Sequence, residues 1–270
     1  MKTVRTTAVL FALFALIAVI SGCATTGPGG ERSLILIDTP TEVQMGLESD
    51  RGIRAEYPVL QDEALASYVR EIGAAVAAYS SRTDVEYTFT VLDSDVVNAF
   101  AAPGGFVYIT TGLLALAGDE AEVACVLSHE VGHVIGRHSV RSMQSAMGMQ
   151  VAAELVLGED NAAWGQVAGL GAGLFMMKNS RDHEFQADQF GVKHAVMAGY
   201  DPDGMIRFFE KLVEMHGSGP GGVAGWLSTH PDTNERIDRA RLEIETYDMN
   251  GHPRNRHTDR YLSRTTSLRG

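Results

Sequence analysis

The sequence predicts a mainly helical α+β domain, and three observations carry that reading. Alanine and leucine recur at helical spacing over residues 62–79, and residues 41–55 also read as helix. Residues 85–91 alternate with period two, as a strand with one buried face does. Residues 121–136 form a mostly apolar run that reads as a largely buried helix. With 270 residues, 45% of them hydrophobic, the chain can enclose one good core, so one domain of about 200 residues is expected.

Residues 1–22 stand outside that domain. Lys2 and Arg5 precede a continuous apolar run that ends at Ile20-Ser21-Gly22-Cys23. An ordinary secretory peptide ends in an A-x-A-like site, and a permanent anchor needs about 20 apolar residues; this run has neither. Its small residues before a cysteine resemble the bacterial lipobox, which implies cleavage before Cys23 and lipidation of that residue. Residues 23–40, with Ala24-Thr25-Thr26-Gly27-Pro28-Gly29-Gly30, read as a flexible tether. Of two cysteines this leaves Cys125, which lies in the apolar run and reads as a buried small hydrophobe. A net charge of −12 argues against nucleic acid as a partner.

Within the apolar run lies His129-Glu130-Val131-Gly132-His133. Residues four apart on a helix share a face, so both imidazoles can reach one metal ion. Glu130, about 100° round the helix, can reach a water on that ion and take its proton. Buried polar groups need partners, and a zinc ion satisfies all three side chains at once. Asp119 with Glu122 reads as the capping box of this helix.

Two histidines do not complete a site. A third histidine in the pattern HExxHxxGxxH would fall at position 139, which is Ser139; His138 is one residue short, about 100° off the ligand face of a continuing helix. The alternative is a carboxylate from a later helix. Glu184 and Asp188 are again four apart, so one can ligate the ion while the other holds a ligand histidine by hydrogen bond.

The three ordered motifs HEVGHVIGRHS, SRDHEFQAD and STHPDTNERI resemble those of the HtpX-like zinc metallopeptidases, which include CAAX prenyl proteases, Oma-type mitochondrial proteases and periplasmic BepA-like proteins. The resemblance covers residues from about 41 to about 245. It implies a zincin-like domain over residues 41–250, with a small sheet and an edge strand beside the active-site helix. It further implies one Zn2+ per chain held by His129, His133 and Glu184, with Glu130 as general base and Asp188 bonded to a ligand histidine. The segment from Asn98, read as a hairpin turning at Pro103-Gly104-Gly105, is similar to the family's edge strand, which makes Asn98 a candidate substrate contact.

Further along, residues 143–177 are rich in Met, Ala and Gly and read as two closely packed helices covering the site. Asp201-Pro202-Asp203-Gly204 starts a helix running to about residue 216, and residues 217–225 read as a glycine-rich loop. His230 stands before Pro231, outside the charged helix that follows, where its ring can swing toward a pocket. In BepA-like relatives the similar histidine approaches the metal, so His230 is either an inhibitory fourth ligand or an oxyanion donor, with the first preferred on a loop. Arg236 is a candidate oxyanion or structural partner. The tail 251–270, with five Arg against one Asp and no apolar periodicity, reads as disordered.

The expected function is therefore hydrolysis of internal peptide bonds in cell-envelope proteins. The chain would be lipid-anchored through Cys23, facing the periplasm, and Ala24 after the lipidated cysteine favours the outer membrane. A rival reading is a chaperone-like adaptor of the outer-membrane assembly machinery that binds clients without cutting them. An intact Glu130 argues for the enzyme.

Overall fold

The computed structural model describes residues 23–157, 179–215, 224–231, 233–247 and 251–268. The signal peptide expected over 1–22 and most of the Met-rich stretch lie outside the described residues. Among the described residues no helix is long and apolar enough to cross a membrane.

The stretch expected as a flexible tether is folded. β1 (Cys23–Thr25) pairs antiparallel with β2 (Arg32–Leu34), Cys23 opposite Leu34. Beyond β2, Ile35 is buried. Gln144 bonds the Leu36 amide at 2.8 Å and the Leu34 carbonyl at 3.1 Å, and Arg137 donates to the Ile37 carbonyl at 2.9 Å. The composition suggests coil, but the backbone partners come from far along the chain, where local pattern carries no signal.

α1 (Thr39–Glu56) starts at Asp38, whose carboxylate accepts from the Thr41 amide, and α2 (Glu63–Ala77) starts at Asp62, which accepts from the Ala64 and Leu65 amides. Then follow β3 (Thr88–Leu92), β4 (Ala99–Ala102), a tight turn at Pro103–Gly105 and β5 (Phe106–Thr110). The sheet order is β3-β5-β4, with β3 parallel and β4 antiparallel to β5, so β4 is an edge strand. Gly104 and Gly105 have φ of 79° and 99°, which explains glycine at this turn. β3 begins three residues later than the alternation suggests, and both its faces are covered. Phe89 and Val91 join the main core with α2, whereas Leu92 packs with Phe100, Tyr108 and Ile53 of α1 in a smaller cluster.

α3 (Thr111–Leu116) leads to α4 (Glu120–Ile135), every residue of which is buried. Asp119 caps it, accepting from the Glu122 amide at 3.0 Å. The box is only half formed, because Glu122 bonds the Gly118 amide and Lys211 instead of reaching the cap amide. α5 (His138–Leu157), α6 (Arg181–Met197) and α7 (Asp203–Met215) follow. The described end of the predicted glycine loop is a short helix, α8 (Ala224–Thr229), fixed by a fully buried Trp226. α9 (Thr233–Glu245) packs on α6 and α7.

The tail expected to be disordered is ordered over its described residues, 251–268, and α10 (Thr258–Arg264) lies in it. Tyr261 is fully buried and donates to the Leu114 carbonyl. Arg256 pairs with Asp119, Arg260 with Glu120, and Arg254 with Asp201. Asp119 and Glu120 are 0% exposed. Buried carboxylates need cations, and those arginines are what the tail's composition supplies.

Candidate metal centre

α4 carries His129, Glu130 and His133; α6 carries Glu184 and Asp188. Two glycines let these helices touch. A Cβ at Gly132 would lie 2.9 Å from the Ala187 carbonyl oxygen, and one at Gly191 would lie 3.3 Å from the His129 amide nitrogen. His230 follows α8 and Arg236 lies on α9, and both are buried. The structure therefore places His129, His133, Glu184 and His230 in one cluster, their ligand atoms all within 4.8 Å of one another.

The distances within that cluster test whether an ion fits. His129 Nε2 is 3.0 Å from His133 Nε2 and 3.3 Å from His230 Nδ1. Glu184 oxygens lie 3.0 Å from His230 Nδ1, 3.3 Å from His133 Nε2 and 3.6 Å from His129 Nε2. A tetrahedron of ligands about 2.0–2.1 Å from a central zinc has edges of about 3.3 Å. The cluster has that size, and its donor set of imidazole nitrogen and carboxylate oxygen suits zinc.

The other ring nitrogens decide which lone pairs face inward. His129 Nδ1 lies 2.8 Å from Asp188 Oδ1, so the ring donates there and its Nε2 lone pair points into the cluster. Asp188 is gripped by Arg236, through Nε at 2.8 Å and a terminal nitrogen at 2.7 Å. The third guanidinium nitrogen of Arg236 lies 2.7 Å from Glu184 Oε2, and the group stacks on the Phe209 ring. Burial opposes the charge on Asp188, but Arg236 and His129 outweigh it and hold the carboxyl below its ordinary value. Glu184 behaves alike: burial raises its pKa, while His230, Arg236 and hydrogen bonds to the ligand histidines keep it well below the carboxylate range. Burial also lowers His129, which favours the neutral ligand form. Arg236, a residue that reads equally well as an oxyanion group, sits here as the counter-ion of both carboxylates.

Glu130 is 0% exposed, yet neither of its carboxylate oxygens has a hydrogen-bond partner. Its Oε1 lies 3.5 Å from His230 Nε2. An unpartnered buried carboxylate beside a cation-sized cluster is placed to work on a water there.

The outward backbone leading into β4 is already taken at Val97 and at Ala99, the first residue of the strand. Trp226 donates its amide to the Val97 carbonyl at 3.1 Å, and His230 Nε2 lies 3.3 Å from the Ala99 carbonyl. Trp226 stacks on His230 at 4.3 Å. Asn98 faces the other way: its amide and carbonyl pair with Thr110, and its side-chain oxygen is buried without a partner. Alternation thus assigns outward backbone contacts to Val97 and Ala99 rather than Asn98. Cys125 is fully buried, and burial pushes its thiol far up, which agrees with an inert packing role.

Two neighbours of the centre escape sequence reasoning. Trp226 comes immediately after the glycine-rich stretch that reads as loop. His138 is off the ligand face only if the helix continues, and it does not: Arg137 adopts φ 50° and turns the chain back. A model of the peptidase family M48 matches residues 63–244. The chain is 28% identical over 212 residues to the beta-barrel assembly-enhancing protease of Escherichia coli K12, covering 74% of this chain and 43% of that protein. It is 30% identical over 215 residues to the mitochondrial metalloendopeptidase OMA1 of Arabidopsis thaliana, covering 73% and 43%. It is 29% identical over 178 residues to the metalloprotease YcaL of E. coli K12, covering 64% and 68%. The chain thus spans less than half the length of the first two relatives.

Proposed function

Because this chain belongs to peptidase family M48, we propose that it is a zinc-dependent endopeptidase of the bacterial cell envelope that cuts misfolded or misassembled envelope proteins. The observation that carries this reading is the tetrahedral fit of the His129, His133, Glu184 and His230 ligand atoms beside an unpartnered Glu130. The name of one E. coli relative, the beta-barrel assembly-enhancing protease, adds β-barrel assembly as the setting. An anchor at Cys23 belongs to the same reading: β1 pins that residue to the domain, so acyl chains there hold the site close to a membrane surface.

His129, His133 and Glu184 would hold the ion, which when bound polarises the scissile carbonyl and acidifies a water. Glu130 then accepts the water's proton and delivers it to the leaving amine, a double duty its isolated, buried carboxylate suits. An extended substrate pairs with the outward backbone of Val97 and Ala99, where the chain enters the β4 edge. Both carbonyls are engaged by the α8–His230 segment, so that segment must leave before substrate enters. His230 accordingly acts as the fourth ligand of a resting enzyme.

The test compares casein cleavage and metal content in the wild type and Glu130→Gln. A carboxamide cannot take the proton while every ligand remains, so hydrolysis is lost and bound zinc is kept. Cleavage by the variant at the wild-type rate would remove Glu130 from the mechanism. Binding of unfolded clients by a zinc-loaded wild type that never cuts them would favour the adaptor reading.

A further inference from the structure

His138 is fully buried directly behind His133, and nothing in the mechanism above uses it. Its Nδ1 lies 2.8 Å from His133 Nδ1, on the side of that ring turned away from the metal cluster. Its Nε2 lies 3.2 Å from Gln186 Oε1, and the same oxygen accepts from an Arg141 guanidinium nitrogen at 3.1 Å. The ring also stacks on His183 at 4.2 Å with 6° between planes.

With both imidazoles neutral, these contacts fix every proton along the relay. Arginine can only donate, so the Gln186 atom facing it is the carbonyl oxygen. That oxygen can only accept, so His138 carries its proton on Nε2 and presents a lone pair at Nδ1. His133 must then donate from Nδ1, which leaves the Nε2 lone pair facing the cluster. The backbone is shaped for the arrangement. Arg137 takes a left-handed φ of 50°, and a Cβ on Gly136 would lie 2.2 Å from His138 Nε2, so only glycine leaves room for the ring.

We propose that His138 is a positioning residue for the metal, setting the orientation and tautomer of His133 through a neutral relay that ends at Gln186 and Arg141. His129 has a charged counterpart in Asp188 and Arg236, so the two ligand histidines are oriented by separate devices. This rests on the zinc site proposed above.

The test is zinc affinity, measured by competition with a chromophoric chelator, together with the visible spectrum of the cobalt-loaded protein. His138→Leu keeps bulk and removes the acceptor; affinity is expected to fall about 10–100-fold, as for other partners of ligand histidines. His138→Asn restores an acceptor at the Nδ1 position and is expected to recover most of the loss. Gln186→Glu keeps an acceptor for both neighbours and holds wild-type affinity, whereas Gln186→Leu loses affinity in the same direction as His138→Leu. If His138→Leu fails to fold, the Gln186 pair decides. Affinity of His138→Leu within twofold of wild type, or His138→Asn as weak as His138→Leu, overturns the proposal. So do equal affinities for Gln186→Leu and Gln186→Glu. Glu184→Ala serves as control: a wild type that binds no zinc, or a Glu184→Ala variant that binds as well as wild type, sinks the metal site itself.

Discussion

Glu130 and His230 are both buried and stand 3.5 Å apart, yet the proposed mechanism gives them opposite effects on the rate. Neither carboxylate oxygen of Glu130 has a hydrogen-bond partner, which suits the proposed general base. His230 contacts the ligand atoms of His129 and Glu184 and also the Ala99 carbonyl, so in the proposed mechanism it takes both the water's place and one substrate contact. His230→Ala is therefore expected to raise basal proteolysis of casein while zinc remains bound by the other three ligands. The competing role, donation to the developing oxyanion, predicts a loss of about 10²–10³-fold in kcat. A slower His230→Ala enzyme with full zinc content would assign the residue to the transition state and would leave the α8 segment without a gating role.

Helix packing decides whether those residues meet. Gly132 sits between the two ligand histidines, against Ala187 and Phe190 of α6, with no room for a methyl group. Alanine at position 132 favours the helix by about 1 kcal/mol, but overpacking against backbone costs about 1–3 kcal/mol. Gly132→Ala is expected to destabilise the protein in urea and to weaken zinc binding, because α6 carries Glu184 away from His133 as it moves. A more stable Gly132→Ala protein would show that propensity outweighs the clash. The helices themselves were legible. α2 and α4 follow from apolar periodicity, the cap at Asp119 from its residue type, and the ligand pair from its i,i+4 spacing. What stayed hidden depends on partners far away in sequence. The Leu36 amide is held by Gln144, and α8 is held by the Val97 carbonyl and the cavity filled by Trp226. His138 is no metal ligand, as its spacing predicts, but its place behind His133 is hidden for a different reason: it depends on one left-handed residue, Arg137, that breaks a helix the apolar pattern would continue.

Across the whole molecule, α4 is gripped at both ends by distant segments. At its C-terminal end Arg82 donates to the Val134 carbonyl and pairs with buried Glu42, while Arg137 joins Glu42 to the segment after β2. At its N-terminal end the segment from 254 to 261 supplies Arg256 to Asp119, which Arg207 of α7 also pairs with, and Arg260 to Glu120. Acidic residues at a helix N-terminus are favoured by the dipole, but full burial makes them costly unless paired. Glu120 accepts from the Tyr68 and Tyr200 hydroxyls, and Arg260 supplies its counter-charge. Replacing Arg260 by Met keeps an apolar stem and leaves that carboxylate charged without a cation, a loss of about 1–3 kcal/mol for a buried group stripped of its partner. Adding Glu120→Gln removes the stranded charge, so the double variant is expected to regain most of the stability lost by Arg260→Met. A free, solvated tail predicts instead that Arg260→Met stays within about 0.5 kcal/mol of wild type and that Glu120→Gln gives no recovery. Urea unfolding of the wild type, both single variants and the double variant separates the two, because only a tail that binds α4 couples residues 120 and 260.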